Sequence, residues 1–146
     1  MASDCPFCKL VSGKLDESVY STEDDIVYHN NDVIVFVSCI QWEETAGHCL
    51  VTPKQHFEQE KDLPDDIVLA IHNASVLIGE AMLKAYKANS YFNRQNNGAP
   101  SQDIFHYHKH ILPCYGDVFQ EIHRNKYSMM APEERKQYAD RLKEVL

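Results

Sequence analysis

The chain has 146 residues, 44% of them hydrophobic, which is enough for one ordinary core and too little for two. Lys and Arg number 14 against 22 Asp and Glu, and a net charge of -8 speaks against a protein that coats a long polyphosphate backbone. A single domain over residues 1–146 is expected, any nucleotide it binds is expected to be small, and nucleic acid is not an expected partner.

The first residues, Met-Ala-Ser-Asp-Cys-Pro, carry neither a basic flank nor an apolar stretch. The longest aliphatic run, Val33 to Val37, is too short to span a bilayer, so a cytoplasmic protein without membrane contact is expected. Cys5, Cys8, Cys39, Cys49 and Cys114 make an odd count in a chain with no secretory signal, which favours reduced thiols over a disulfide framework. Val33 to Ile40 is rich in β-branched and aromatic residues and reads as a strand; Cys49 to Thr52, ending at Pro53, reads as a second. From Ile67, the positions Ala70, Ile71, Ala74, Leu77, Ile78, Ala81, Met82 and Ala85 repeat with helical spacing. Pro64 suits that helix's first turn, Asp65 and Asp66 sit near the positive end of its dipole, and Asn89-Ser90 offers a stop. His72, near the apolar face, is expected to be partly buried rather than a ligand. Tyr91 to Arg94 and Ile104 to Leu112 look extended, separated by a Gly-, Pro- and Asn-rich turn, Asn96 to Ser101. A last helix starts near Pro132 and occupies about 131–146.

Side chains alternate across a strand, so His106, His108 and His110 share one face, spaced roughly 6.5 Å apart. An imidazole titrates near neutral pH and serves as acid, base, nucleophile or metal ligand. Three readings are open. The row is an exposed polar strand face; it binds one catalytic zinc; or its middle member is a nucleophile whose neighbours hold a phosphate. The loop beside it favours the last, since backbone N–H groups around Asn97 and Gly98 can cradle an anion and Ser101 and Gln102 can bond phosphate oxygens. The spacing alone leaves the choice open.

Gln102-Asp103-Ile104-Phe105-His106-Tyr107-His108-Lys109-His110-Ile111-Leu112-Pro113 resembles the signature of the histidine-triad superfamily, His-φ-His-φ-His-φ-φ with φ apolar, preceded by a Gly-rich loop and a Gln. Gly47-His48-Cys49-Leu50-Val51-Thr52-Pro53-Lys54-Gln55-His56 is similar to the family's Gly-His strand ending in Pro-Lys-x-His, and the likeness extends to Cys5-Pro6-Phe7-Cys8 and Tyr115-Gly116-Asp117. The resemblance implies an α+β fold with a five-stranded antiparallel sheet, one long helix and a C-terminal helix. It also implies a homodimer, expected to form through the Pro64 to Lys87 helix and an edge strand. The chemistry implied is cleavage of a nucleoside phosphoramidate or dinucleoside polyphosphate through a nucleotidyl-histidine, with AMP or a related nucleoside phosphate as ligand. Transfer to an acceptor other than water, or nucleotide sensing without turnover, are the alternatives. Position by position, His108 matches the nucleophile, His110 a phosphate contact, His48 a supporting histidine and Gln102 the residue beside the phosphate. Ser38 falls near an Asp that holds the ribose hydroxyls in many members.

Three departures stand out: Lys109 replaces an apolar φ, the loop from Gly98 to Gln102 is short, and Cys39 to Ala46 is long. Alternation puts Lys109 opposite the triad face. Extra residues around Ser18 to Asp25 have no assigned role. Cys5 and Cys8 have spacing that lets two thiolates grip one tetrahedral zinc, against the alternative of two unliganded thiols. Resemblance to zinc-bearing members and to the galactose-phosphate uridylyltransferases implies His56 and His106 as the remaining ligands of a structural zinc. That zinc would anchor an N-terminal segment of residues 1–15. His29 and His123 match no motif.

Overall fold

Pro6, whose ring fixes a helical φ, opens α1 (Pro6–Ser12), and Gly13 closes it in the left-handed conformation at φ 69°. The structure is a computed structural model that describes residues 4–117, 119 and 126–146; His123 and the first three residues of the predicted N-terminal segment lie outside them. Strands β1 (Ile26–His29), β2 (Val33–Val37), β3 (Ile40–Trp42) and β4 (Cys49–Pro53) follow, then the long helix α2 (Asp65–Ala85). The chain continues through β5 (Ser90–Gln95), β6 (Lys109–Cys114), β7 (Tyr127–Met129) and helix α3 (Pro132–Lys143). Five strands form one antiparallel sheet in the order β1-β2-β4-β6-β5, and β3 pairs with β7 in a small second sheet.

Period-two alternation divides β2 between two cores. Val33, Val35 and Val37 join Val51 and Ile111 beneath α2, while Ile34 and Phe36 join Leu50 and the α1 residues Phe7, Cys8 and Leu10 on the other side. Both faces are covered, which is why β2 is apolar along its whole length. Ile67, Ile71, Ala74, Ile78 and Met82 are the face α2 lays on the sheet. By length and composition α2 is apolar enough to cross a membrane, but this stripe is packed on the sheet as the core helix of a folded domain would be. Gly79 permits the close approach, since a Cβ there would overlap the Tyr91 ring.

The structure corrects several expectations. The expected strand from Val33 to Ile40 breaks after Val37: Ser38 N–H still donates to the His48 carbonyl (3.1 Å), while its hydroxyl accepts the Ile40 N–H (3.2 Å), turning the chain into β3. Pro64 caps α2 from outside its first turn, and the helix ends at Ala85 before Lys87 takes a left-handed φ of 60°. His72 is exposed, because one step of the helix past buried Ile71 carries it off the core stripe; Leu77 is also partly exposed, at 41%. Finally, Ile104 to His108 is not laddered strand. Thr52 Oγ1 donates to the Tyr107 carbonyl (2.7 Å) and the Tyr107 N–H donates to the Phe57 carbonyl (2.6 Å), so β6 begins only at Lys109. The short helix α1 and the strands β1, β3 and β7 were not expected from the sequence.

Candidate functional site

On the sheet face away from α2 a cavity opens over the imidazoles. Its apolar end is Phe7, Phe36, Leu50 and Ile104, and Ser38, Cys39, Trp42, Arg94, Asn96, Ser101, Asp103 and Tyr127 complete much of the rest. The floor is a row of rings in contact: Phe7 lies 5.3 Å from His108, His108 5.3 Å from His110, His110 5.4 Å from His48, and His48 5.3 Å from Trp42. Thus His108, His110 and His48 meet although only His110 lies within a strand. Tyr107 and Ile111 belong to the core under α2, so Lys109 between them faces that side, away from the cavity.

Hydrogen bonds fix which nitrogen of each ring is free. His108 Nδ1 lies 2.8 Å from the His106 carbonyl; a carbonyl only accepts, so Nδ1 carries the proton and Nε2 keeps a lone pair. Between His110 Nδ1 and His48 Nε2, 3.3 Å apart, one proton is shared. His48 Nδ1 is buried without a partner among the described residues, and an orphaned N–H costs more than an orphaned lone pair. The proton therefore sits on His48 Nε2, donated to His110 Nδ1, which leaves His110 a donor at Nε2. Burial, with Arg94 and His108 adding to it, pushes the His48 pKa down to about 3. Burial, then His48, His108 and Arg94, holds His110 well below the usual imidazole value. Burial also lowers His108, opposed by its bond to the His106 carbonyl and by Asp103. The rings are thus neutral at neutral pH.

Two buried amides shape the walls. Gln41 Nε2 donates to the Ser38 and His48 carbonyls (2.7 and 3.0 Å), and its Oε1 accepts from the Gly47 and His48 N–H groups (2.9 and 3.1 Å). A full complement of bonds makes it the staple of the His48 turn, where Gly47 at φ 92° sits too close to Tyr86 and Tyr138 to carry a side chain. Gln102 does not reach the cavity as its expected phosphate role requires. Its Oε1 accepts from Gly98 N–H (2.8 Å) and its Nε2 donates to the Glu58 and Ile104 carbonyls (2.7 and 3.0 Å), which closes the loop on itself. Asn97 is exposed and accepts from Glu60 N–H (2.9 Å); the neighbouring Asn96 lines the cavity in its place. Gly98 turns the loop at φ 75°, outside the cavity lining, whereas Ser38 and Ser101 do line it. Phe7, Trp42, Arg94, Asn96 and Tyr127 were missed from sequence. The lone tryptophan, standing in the long segment after Cys39, was the one available signal.

Behind the floor, Cys5, Cys8, His56 and His106 bring one ligand atom each within 4.8 Å of one another. His106 Nδ1 lies 3.3 and 3.5 Å from the Cys5 and Cys8 sulfurs, and His56 Nδ1 lies 3.4 Å from Cys8. Tetrahedral Zn–S and Zn–N bonds of ordinary length put sulfur and nitrogen about 3.6 Å apart, so the donor set fits that geometry. His106 Nε2 lies 2.8 Å from the Pro53 carbonyl and donates to it, leaving Nδ1 unprotonated and aimed at the cluster.

Fold and site together define an α+β protein with a histidine-floored cavity backed by a Cys2His2 cluster. Residues 20–117 match the HIT domain, and the chain belongs to that family. It is similar to the protein hit of Bacillus subtilis, 30% identical over 136 residues that cover 91% of this chain and 88% of that one. The adenylylsulfatase HINT3 of Arabidopsis thaliana is 32% identical over 114 residues, covering 77% of this chain and 53% of its own. The adenosine 5'-monophosphoramidase HNT1 of Saccharomyces cerevisiae is 32% identical over 116 residues, covering 75% and 61%. Among solved structures, a Hit-like protein involved in cell-cycle regulation from Bartonella henselae, holding an unknown ligand, has a TM-score of 0.83 at 25% identity, covering 100% of this chain and 98% of that one. A Zn-bound histidine triad family protein from Mycobacterium smegmatis shares the fold with a TM-score of 0.73 at 22% identity, covering 97% and 91%.

Proposed function

We propose that the chain is a nucleotide hydrolase that cleaves a nucleoside phosphoramidate or dinucleoside polyphosphate by covalent catalysis at His108. The observation that carries this reading is the 2.8 Å bond from His108 Nδ1 to the His106 carbonyl, which turns a free Nε2 lone pair toward the cavity. Attack on the α-phosphorus forms an Nε2–P bond as the bond to the leaving group breaks, and the leaving group departs with the electron pair. Water then displaces the nucleotide and restores the imidazole. His110 Nε2–H is the donor to a phosphoryl oxygen, where negative charge grows in the transition state. Ser101 and Asn96 are further polar contacts, and the apolar end with Ser38 takes the nucleoside. The relatives named adenylylsulfatase and adenosine 5'-monophosphoramidase support chemistry of this class. Adenosine phosphoramidate and a diadenosine polyphosphate, each incubated with the protein, are expected to yield AMP. Binding of both without AMP from either would overturn the reading.

The cluster of Cys5, Cys8, His56 and His106 is proposed to hold one structural zinc, in line with its spacing and with the Zn-bound relative. Bound there, the ion would pin α1 and fix His106, whose carbonyl orients His108. Elemental analysis should give about one zinc per chain, falling to near zero in a Cys5→Ser, Cys8→Ser double variant, as a closed site of two thiolates and two imidazoles requires. Zinc content unchanged in that variant would remove the assignment. The exposed side of α2, with Val68, Leu69, Val76 and Leu77, and the edge strand β5 are proposed as the surface of a homodimer. Light scattering at micromolar concentration is expected to report twice the chain mass of 16.8 kDa; a monomer mass would refute it.

A further inference from the structure

The row of rings does not end at the imidazoles. Beyond His48 stands Trp42, and over its ring, 5.8 Å from the centre, lies the guanidinium of Arg94. Arg94 pairs across the ladder with His110, so both side chains leave the same face of the sheet. Among the described residues the Arg94 guanidinium forms no hydrogen bond and no ion pair. Contrast Arg135, which is buried and reaches Asp25 and two backbone carbonyls. Arg94 is half-buried, and the cavity it lines holds the three neutral imidazoles and one carboxylate, that of Asp103, which acts on His108.

A partly desolvated cation with uncommitted donors beside other basic groups is an unfavourable arrangement that an anionic ligand would relieve. The two ends of the floor differ accordingly. Phe7 closes one end with an apolar ring, and Trp42 with Arg94 closes the other with a flat surface and a positive charge.

We propose that Arg94 binds an anionic group attached to the α-phosphorus, so that the site selects nucleoside 5'-phosphates whose leaving group is itself an anion, a phosphate or a sulfate, over those that release a neutral amine. This deepens the hydrolase reading of the His108 site and rests on it. With a phosphoryl group over His108 and His110, the nucleoside extends toward Phe7 and the second anion toward Arg94. The guanidinium would draw the second anion in and stabilise it as its bond to phosphorus breaks. Trp42 keeps the Arg94 side chain extended over the cavity through stacking.

The test uses His108→Asn protein, in which nucleotide stays intact, and compares AMP with ADP by isothermal titration. ADP is expected to bind at least about tenfold more tightly than AMP, the difference one charge-assisted bidentate contact makes. In the added Arg94→Met background, which keeps an apolar stem, the ADP-to-AMP ratio should collapse to within about threefold, and Arg94→Lys should recover part of it. An unchanged ratio in Arg94→Met, or loss of AMP binding equal to that of ADP, overturns the proposal while leaving the nucleotide reading intact. Failure of the parent protein to bind AMP at all would instead sink the nucleotide reading, and this inference with it.

Discussion

His108→Asn is expected to bind nucleotide and to turn it over more slowly by roughly three orders of magnitude or more, as loss of a covalent nucleophile does. Asparagine keeps a polar side chain of similar reach but offers no imidazole lone pair. Neither neighbour can substitute. His106 has Nε2 on the Pro53 carbonyl and Nδ1 among the Cys5 and Cys8 sulfurs. His110 has Nδ1 engaged by His48 and presents a proton, not a lone pair, from Nε2. Acid-quenched mass spectrometry of wild-type protein with adenosine phosphoramidate should therefore find an adenylyl adduct on the triad peptide, at His108 alone. Substantial turnover by His108→Asn, or an adduct mapped to His110, would overturn the assignment.

The second large effect concerns stability. Arg135 and Asp25 form an ion pair at 3.0 Å with side chains only 3% and 0% exposed. Arg135 also donates to the carbonyls of Met130 (2.7 Å) and Tyr20 (2.8 Å), while Asp25 accepts the Thr22 N–H (2.7 Å). The pair thus ties α3 to the extra residues around Ser18 to Asp25, which had no role in the sequence reading. Arg135→Met leaves a desolvated carboxylate unpaired and removes the donor to the buried Met130 carbonyl and to the part-buried Tyr20 carbonyl. A loss of about 3–5 kcal/mol is expected in urea unfolding, the usual cost of breaking a buried pair from one side. Adding Asp25→Asn should return part of that loss, because the second change removes the stranded charge. A single-variant loss below about 1 kcal/mol would show that the pair holds little.

What the sequence made legible follows from the range of the interactions involved. The α2 stripe depends on spacing within one helix, and it was readable; so were the triad and the Cys-x-x-Cys with its two distant histidines, because resemblance supplied the pairing. Strands β3 and β7 were not, since each has three residues whose ladder partner lies far along the chain. The stretch before β6 misled for a related reason. Its residues look strand-like, yet Thr52 and Phe57 take the hydrogen bonds that a ladder would have used. Gln102 shows the limit for a site residue: its position beside the triad was readable, but where its amide points was not, and the amide serves the loop. Arg94 carries no local signal at all, and only pairing with His110 brings it to the cavity.

The match to the family runs from residue 20 to residue 117, whereas two of the cavity's aromatic walls, Phe7 and Tyr127, stand outside that span, as do Cys5 and Cys8. The imidazole row and the Trp42–Arg94 end thus belong to the matched span, while Phe7 at the opposite end and Tyr127 are furnished by the flanks. Chimeras that exchange only these flanks between family members would separate the part of ligand preference carried by Phe7 and Tyr127 from the part carried by Arg94, with the imidazole row left in place.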